Sequence, residues 1–254
     1  MPNGEGENAA AVTAPGGIRA MPVAPIWHTV LLIVVLFGLA AFQGQGRLAA
    51  RAARRPNLLL TYALTICYEW LLVAYVWFFG LRRSKTSLRE IVGGRWQRWG
   101  DFWRDIGVAL LFWVVAVSVL AALSYPLHFQ GGEAAKFLLP QTTAELTIWV
   151  ALTSSAGFCE ELVFRGYLQR QFLSWTGSVT AGVALQAIVF GVAHLYQGWR
   201  AVLVISVYGA LFGVLAVMRK SLRPGMLQHA GQDTFAGFAN HLLTKYKFVH
   251  LVRF

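Results

Sequence analysis

The chain has 254 residues, 57% of them hydrophobic and 13% charged, with mean hydropathy +0.54 and net charge +11. Soluble domains carry about a quarter charged residues, so this balance excludes an ordinary soluble domain and indicates an integral membrane protein. Nucleic acid is excluded as the reason for the positive charge. The basic residues cluster where apolar runs end: Arg47, Arg51, Arg54 and Arg55, then Arg82, Arg83, Lys85, Arg89, Arg95 and Arg98, then Arg219, Lys220 and Arg223. That pattern belongs to a protein held against anionic lipid headgroups.

In chain order, residues 1–25 are rich in Gly, Ala and Pro and are expected to form a disordered tail. They show no basic stretch leading into an apolar run and a cleavage site, so Ile26–Phe42 is expected to be a retained helix, not a removed signal. Further apolar windows follow at Leu58–Gly80, Ile106–Tyr125, Leu146–Phe164, Val179–Leu195, Ala201–Met218 and Gly225–Leu243. The last is the weakest, carrying His229, Gln232, Asp233, Asn240 and His241. With about 20 residues needed per crossing, these windows predict an all-α polytopic membrane bundle of about seven helices, with six to eight as the range. The expected organisation is one transmembrane domain over 26–243 and a basic tail at 244–254, in the cell membrane.

Ser84–Asp105 mixes Leu88, Ile91, Trp96, Trp99, Phe102 and Trp103 with basic residues and reads as an amphipathic segment lying in the interface. Trp175 and Trp199 bracket the fifth window where belt aromatics are expected. Gly209 and Gly213 form a small-xxx-small pair for close helix packing. Cys67 and Cys159, both in apolar segments, read as small hydrophobes. Ser84–Asp105 and Arg219–Arg223 are expected on one face, and lysine and arginine bias assigns that face to the cytoplasm.

Glu160, Glu161 and Arg165 lie in one of the most apolar runs, Thr153–Arg170. Carboxylates at bilayer depth cost about 2.5–3.5 kcal/mol each, so either a working site or an ion pair locking two helices must account for them. Glu161 and Arg165 stand at i, i+4 with the acid N-terminal, the favourable order for a helical ion pair. Glu160 is rotated roughly 100° away and is free to face a cavity as a base. His229 and Asp233 are also at i, i+4, so the carboxylate can accept the imidazole N–H. Phe190 and His194 share the same spacing. Glu160 lies 16 residues before Thr176 and His194 lies 18 after it. At 1.5 Å per residue, both would sit roughly 24–27 Å from the turn, at matching depth. His229 fits this geometry less well, since a full sixth crossing would leave it nearer the opposite surface.

The ordered set Glu160-Glu161-x-x-x-Arg165, Phe190-x-x-x-His194 and His229-x-x-x-Asp233 resembles the CAAX-processing and bacteriocin-processing (Abi, CPBP) intramembrane proteases, relatives of the type II CAAX prenyl endopeptidase. The likeness covers roughly residues 144–243. It implies hydrolysis of a peptide bond in a membrane-associated, and in some members lipidated, peptide or protein. In such enzymes the Glu160 position activates water with help from the His194 position. The positions of His229 and Asp233 form the oxyanion site, and Glu161 with Arg165 supports the first glutamate. Where Asp233 stands, the family commonly has Asn and also accommodates Asp. An ionised Asp accepts hydrogen bonds and donates none, so His229 is expected to do the donating while Asp233 keeps it protonated.

No cofactor is expected. The rival is a zinc centre using Glu160, His194 and His229, although no His-Glu-x-x-His motif is present. Two other functions fit the composition. One is a catalytically silent scaffold or bacteriocin-immunity-type partner protein. The other is a proton-coupled transporter, against which stands the absence of an internal repeat.

Overall fold

A computed structural model describes residues 22–50, 57–84, 86–129, 131 and 136–246, leaving aside the side chains of 44–50. Most of the expected N-terminal tail, the side chain of Arg47, the basic residues Arg51, Arg54, Arg55 and Lys85, and most of the expected C-terminal tail lie outside what it describes. Each apolar window is a helix, because hydrocarbon offers no partner to a peptide group and the backbone must bond within itself. The helices are α1 (Ile26–Ala50), α2 (Leu58–Tyr75, extended by a π-helix over Val76–Leu81), α3 (Leu88–Val92) and α4 (Trp99–Ser124). After these come α5 (Thr143–Glu160), a π-helix over Glu161–Leu168, α6 (Gln169–Thr176), α7 (Val179–Ala193), α8 (Trp199–Arg219) and α9 (Arg223–Lys245). Five of these stretches are long and apolar enough to cross a membrane, α7 is a shorter apolar helix, and α9 is the polar seventh. The all-α polytopic bundle expected from the windows is what is observed.

Two boundaries differ from expectation. Trp99–Asp105 forms the opening turns of α4, so Ser84–Asp105 is not one interfacial segment; five-residue α3 is its separate helical part. The reason is polar satisfaction. Asp105 is buried and accepts from Trp96 Nε1 at 2.8 Å, with Arg223 Nε at 3.1 Å and Arg219 at 3.5 Å. These contacts also bring the two basic segments to one end of the bundle, as expected. The fourth window does not stop at Phe164: Thr143–Thr176 is one continuous helical path of 34 residues, roughly 50 Å long. Its polar second half is buried by specific partners. Gln171 Oε1 accepts from the backbone N–H of Val23 and Ala24 at 2.7 and 3.1 Å, and Tyr167 bonds His28 and Thr29 at 2.6 and 2.8 Å.

That long path is the axis of the fold, flanked by α2 on one side and α9 on another, with α7 and α8 closing the bundle. Outward faces are apolar, including Leu64, Leu71, Leu110, Leu111 and Val114, as lipid contact requires. Trp175 and Trp199 are both exposed at helix ends, as belt residues should be.

Candidate active site

Glu160 closes α5 and Glu161 opens the π-helix, near the midpoint of the long path. π-segments occur often at functional sites. Glu161 and Arg165 are both buried and paired at 2.9 Å. Arg165 also donates to the Gly209 carbonyl at 3.3 Å, and its guanidinium lies 4.3 Å from the Phe190 ring centroid and 4.8 Å from that of Phe212. The small-xxx-small pair thus carries more than packing. A Cβ on Gly209 would meet Phe190 at 3.0 Å, and one on Gly213 would meet Gln186 and Gln169 at 2.7 and 2.8 Å. The bare backbone there lets Arg165, Gln186 and Gln169 reach the two carbonyls.

The depth argument for His194 holds through a ring contact. Phe164 and Phe190 meet edge to face at 4.9 Å, with Glu160 one turn back from the first and His194 one turn on from the second, on antiparallel helices. His194 caps α7 and its Nδ1 stands 2.8 Å from the Phe190 carbonyl. A carbonyl can accept and not donate, so Nδ1 is the donor of this pair. Asp233 is within electrostatic reach of His194.

His229 reaches the glutamates after all. The turn between α8 and α9 is held by the Val92 carbonyl, which accepts from Leu222 N and from Ser221 Oγ, and Leu222 lies over Gly166. The turn therefore sits only about five residues beyond Glu161, and seven residues down α9 place His229 level with it. The long helix projects past the turn, and no kink in α8 is required. Close approach of α5 and α9 completes the contact: a Cβ on Gly157 would stand 2.8 Å from both Ala230 N and Ala230 Cβ. Their register is set by Trp149 Nε1 donating to the Asp233 carbonyl at 2.8 Å and by Thr153 with Thr234 at 2.7 Å.

His229 Nδ1 lies 3.3 Å from Glu161 Oε1, while Nε2 faces Glu160 Oε2 at 3.8 Å and Asp233 Oδ2 at 3.6 Å. Both ring nitrogens face carboxylate oxygens, so both are oriented to donate. Glu160 and Asp233 keep 22% and 37% of their side-chain surface, against 1% for Glu161. The two carboxylates that are open to an incoming group are those outside the Arg165 pair. Among the described residues, no group of three or more His, Cys, Asp or Glu is arranged to hold a metal ion.

One acidic residue went unnoticed in the sequence. Glu69 of α2 is buried and within electrostatic reach of Glu160, His229 and Asp233. Its signal was available, since it is the single charged residue in the window Leu58–Gly80.

Residues 140–235 match the family model described as type II CAAX prenyl endopeptidase Rce1-like. The resemblance carried by the three motifs is therefore shown over that segment, which starts four residues before and ends eight residues short of the expected 144–243. It holds all seven motif residues from Glu160 to Asp233 and excludes Glu69. Over that segment the chain is similar to this family of CAAX-type proteases. No curated protein and no solved structure matches the chain.

Proposed function

We propose that this protein is an intramembrane endopeptidase of the cell membrane. It hydrolyses a peptide bond in a membrane-associated or lipidated peptide, using water activated by Glu160 and no metal. What carries the proposal is the division among the carboxylates: Glu161 is consumed by Arg165 and His229, whereas Glu160 stays partly open beside a histidine that can donate.

The chemistry follows from the atoms. Glu160 takes a proton from water as its oxygen bonds to the carbonyl carbon. The carbonyl electron pair moves onto oxygen, where His229 donates to the developing charge, the type of stabilisation that dominates acyl transfer. His194, with Nδ1–H held by Phe190, has Nε2 free to relay the proton to the departing nitrogen as the C–N bond breaks. The products are a carboxylic acid and an amine. A silent scaffold has no use for this whole set, because a structural lock is complete with Glu161, Arg165 and the Gly209 carbonyl.

The test is a quantitative proteome comparison of membranes carrying wild-type protein or Glu160→Ala. Loss of a general base costs about 10²–10⁴-fold in rate, so at least one uncleaved precursor should accumulate in the variant at equal expression. Cleavage should survive chelator treatment. Indistinguishable proteomes would support the scaffold, and loss of cleavage in chelator would support zinc.

A further inference from the structure

Glu69 is 5% exposed, and its Oε2 is enclosed without a hydrogen-bond partner; Glu160 Oε2 is enclosed and unbonded in the same way. Buried polar atoms are nearly always bonded, so each such exception calls for a ligand or a role. The two carboxylates line one small cavity together with Leu72, Cys159, Val163 and Phe164. Its volume is about 10 Å³, which is the space of one water molecule. Leu72, Val163 and Phe164 cannot hydrogen-bond, and the Cys159 thiol does so weakly, so the carboxylates supply the strong acceptors of that cavity. The other titratable groups near Glu69 are Cys159 from α5, His229 and Asp233 from α9, and Tyr68 from its own helix.

We propose that Glu69 is a catalytic residue that holds the hydrolytic water jointly with Glu160, an inference that rests on the peptidase reading above. A water bonded to one carboxylate rotates about that bond; a second acceptor fixes where its lone pair points. Glu160 removes one of the water's protons, and Glu69 accepts the other O–H as a hydrogen bond without taking the proton. The oxygen lone pair then forms the bond to the carbonyl carbon, and the proton on Glu160 leaves with the amine as the C–N bond breaks. Glu69 returns unchanged.

The experiment uses full-length protein in liposomes and a quenched fluorogenic farnesylated peptide ending in a CaaX sequence as the probe. Wild type, Glu69→Gln, Glu69→Leu and Glu160→Gln are compared, with melting temperature measured for each. The Gln amide oxygen accepts the same hydrogen bond, so Glu69→Gln should stay within about tenfold of wild-type kcat. Glu69→Leu suits the apolar wall and should fold, but with the water misdirected kcat should fall about 100-fold at unchanged KM. Wild-type kcat in Glu69→Leu overturns the inference; if that variant does not fold, Glu69→Met is read by the same two outcomes. Glu160→Gln separates the failures. If it cleaves like wild type, the peptidase reading falls and takes Glu69 with it. If Glu160→Gln is inactive while Glu69→Leu is unaffected, the role of Glu69 alone is refuted.

Discussion

Arg165 has no exposed side-chain surface, so each face of its guanidinium needs a partner inside the protein. Glu161, the Gly209 carbonyl and the rings of Phe190 and Phe212 provide them. Removing one partner of a buried pair leaves an uncompensated charge, which is why Glu161 is poorly suited to act as a base. His229 is the side chain placed to donate, and that assignment makes opposite predictions for two neighbours. His229→Ala should lower kcat about 10²–10³-fold, the usual cost of a lost oxyanion donor, whereas Asp233→Asn should keep activity and shift its pH profile. Both are read from initial rates against pH, and full activity in His229→Ala would refute the role. The i, i+4 pairs were legible because helical spacing alone puts such residues on one face. The two further ties of His229, to Glu161 and Glu160, join residues 68 and 69 positions apart, and no local pattern encodes them. Glu69 lies farther still from its partners and belongs to no spaced motif.

Between α5 and α9 the contact is backbone against backbone. Gly157 faces Ala230 N and the Met226 carbonyl at distances where a Cβ has no room, and Gly225 lets α9 pass 3.1 Å from Glu161 Oε2 by the same measure. A side chain at 157 must push α9 outward and carry His229 away from both glutamates. Gly157→Val should therefore destabilise the fold by about 1–3 kcal/mol, the usual range for overpacking, and reduce cleavage more than that loss explains. Thermal unfolding in detergent, paired with rates measured well below the midpoint, tests the two effects separately. Helix existence was readable from hydropathy because lipid forces long apolar runs into helices. Helix ends were not. Arg165, Gln169, Arg170 and Gln171 break the apolar run after Phe164, yet the helix continues because partners just before α1 and on α8 satisfy three of them. That continuation decides the depth of His229, so the hardest part of the site to foresee came from a misplaced helix end.

Over the whole molecule, the matched segment 140–235 is bonded to and packed against the first half of the chain. Its core is tied by Gln171 to Val23 and Ala24 just before α1, by Tyr167 to His28 and Thr29 of α1, and to α2 by the packing of Leu152 with Tyr62 and Leu58. Tyr62 also donates to the Leu138 carbonyl. Residues 136–246 expressed alone should lose protease resistance, and co-expression of residues 22–129 should restore it; limited proteolysis of the membranes is the readout. Equal resistance with and without the first half would show that the ties to α1 and α2 contribute little. The position of α9 in the chain has a consequence in time. Translation delivers the glutamates some 70 residues before His229, and Arg165 some 44 before the Gly209 carbonyl that it bonds. A nascent chain inserted through α8 therefore holds its acids, its buried cation and no donor at Glu160. Where helices join the bundle in the order of synthesis, the site is completed only when α9 docks, and until then the glutamates have no His229 beside them.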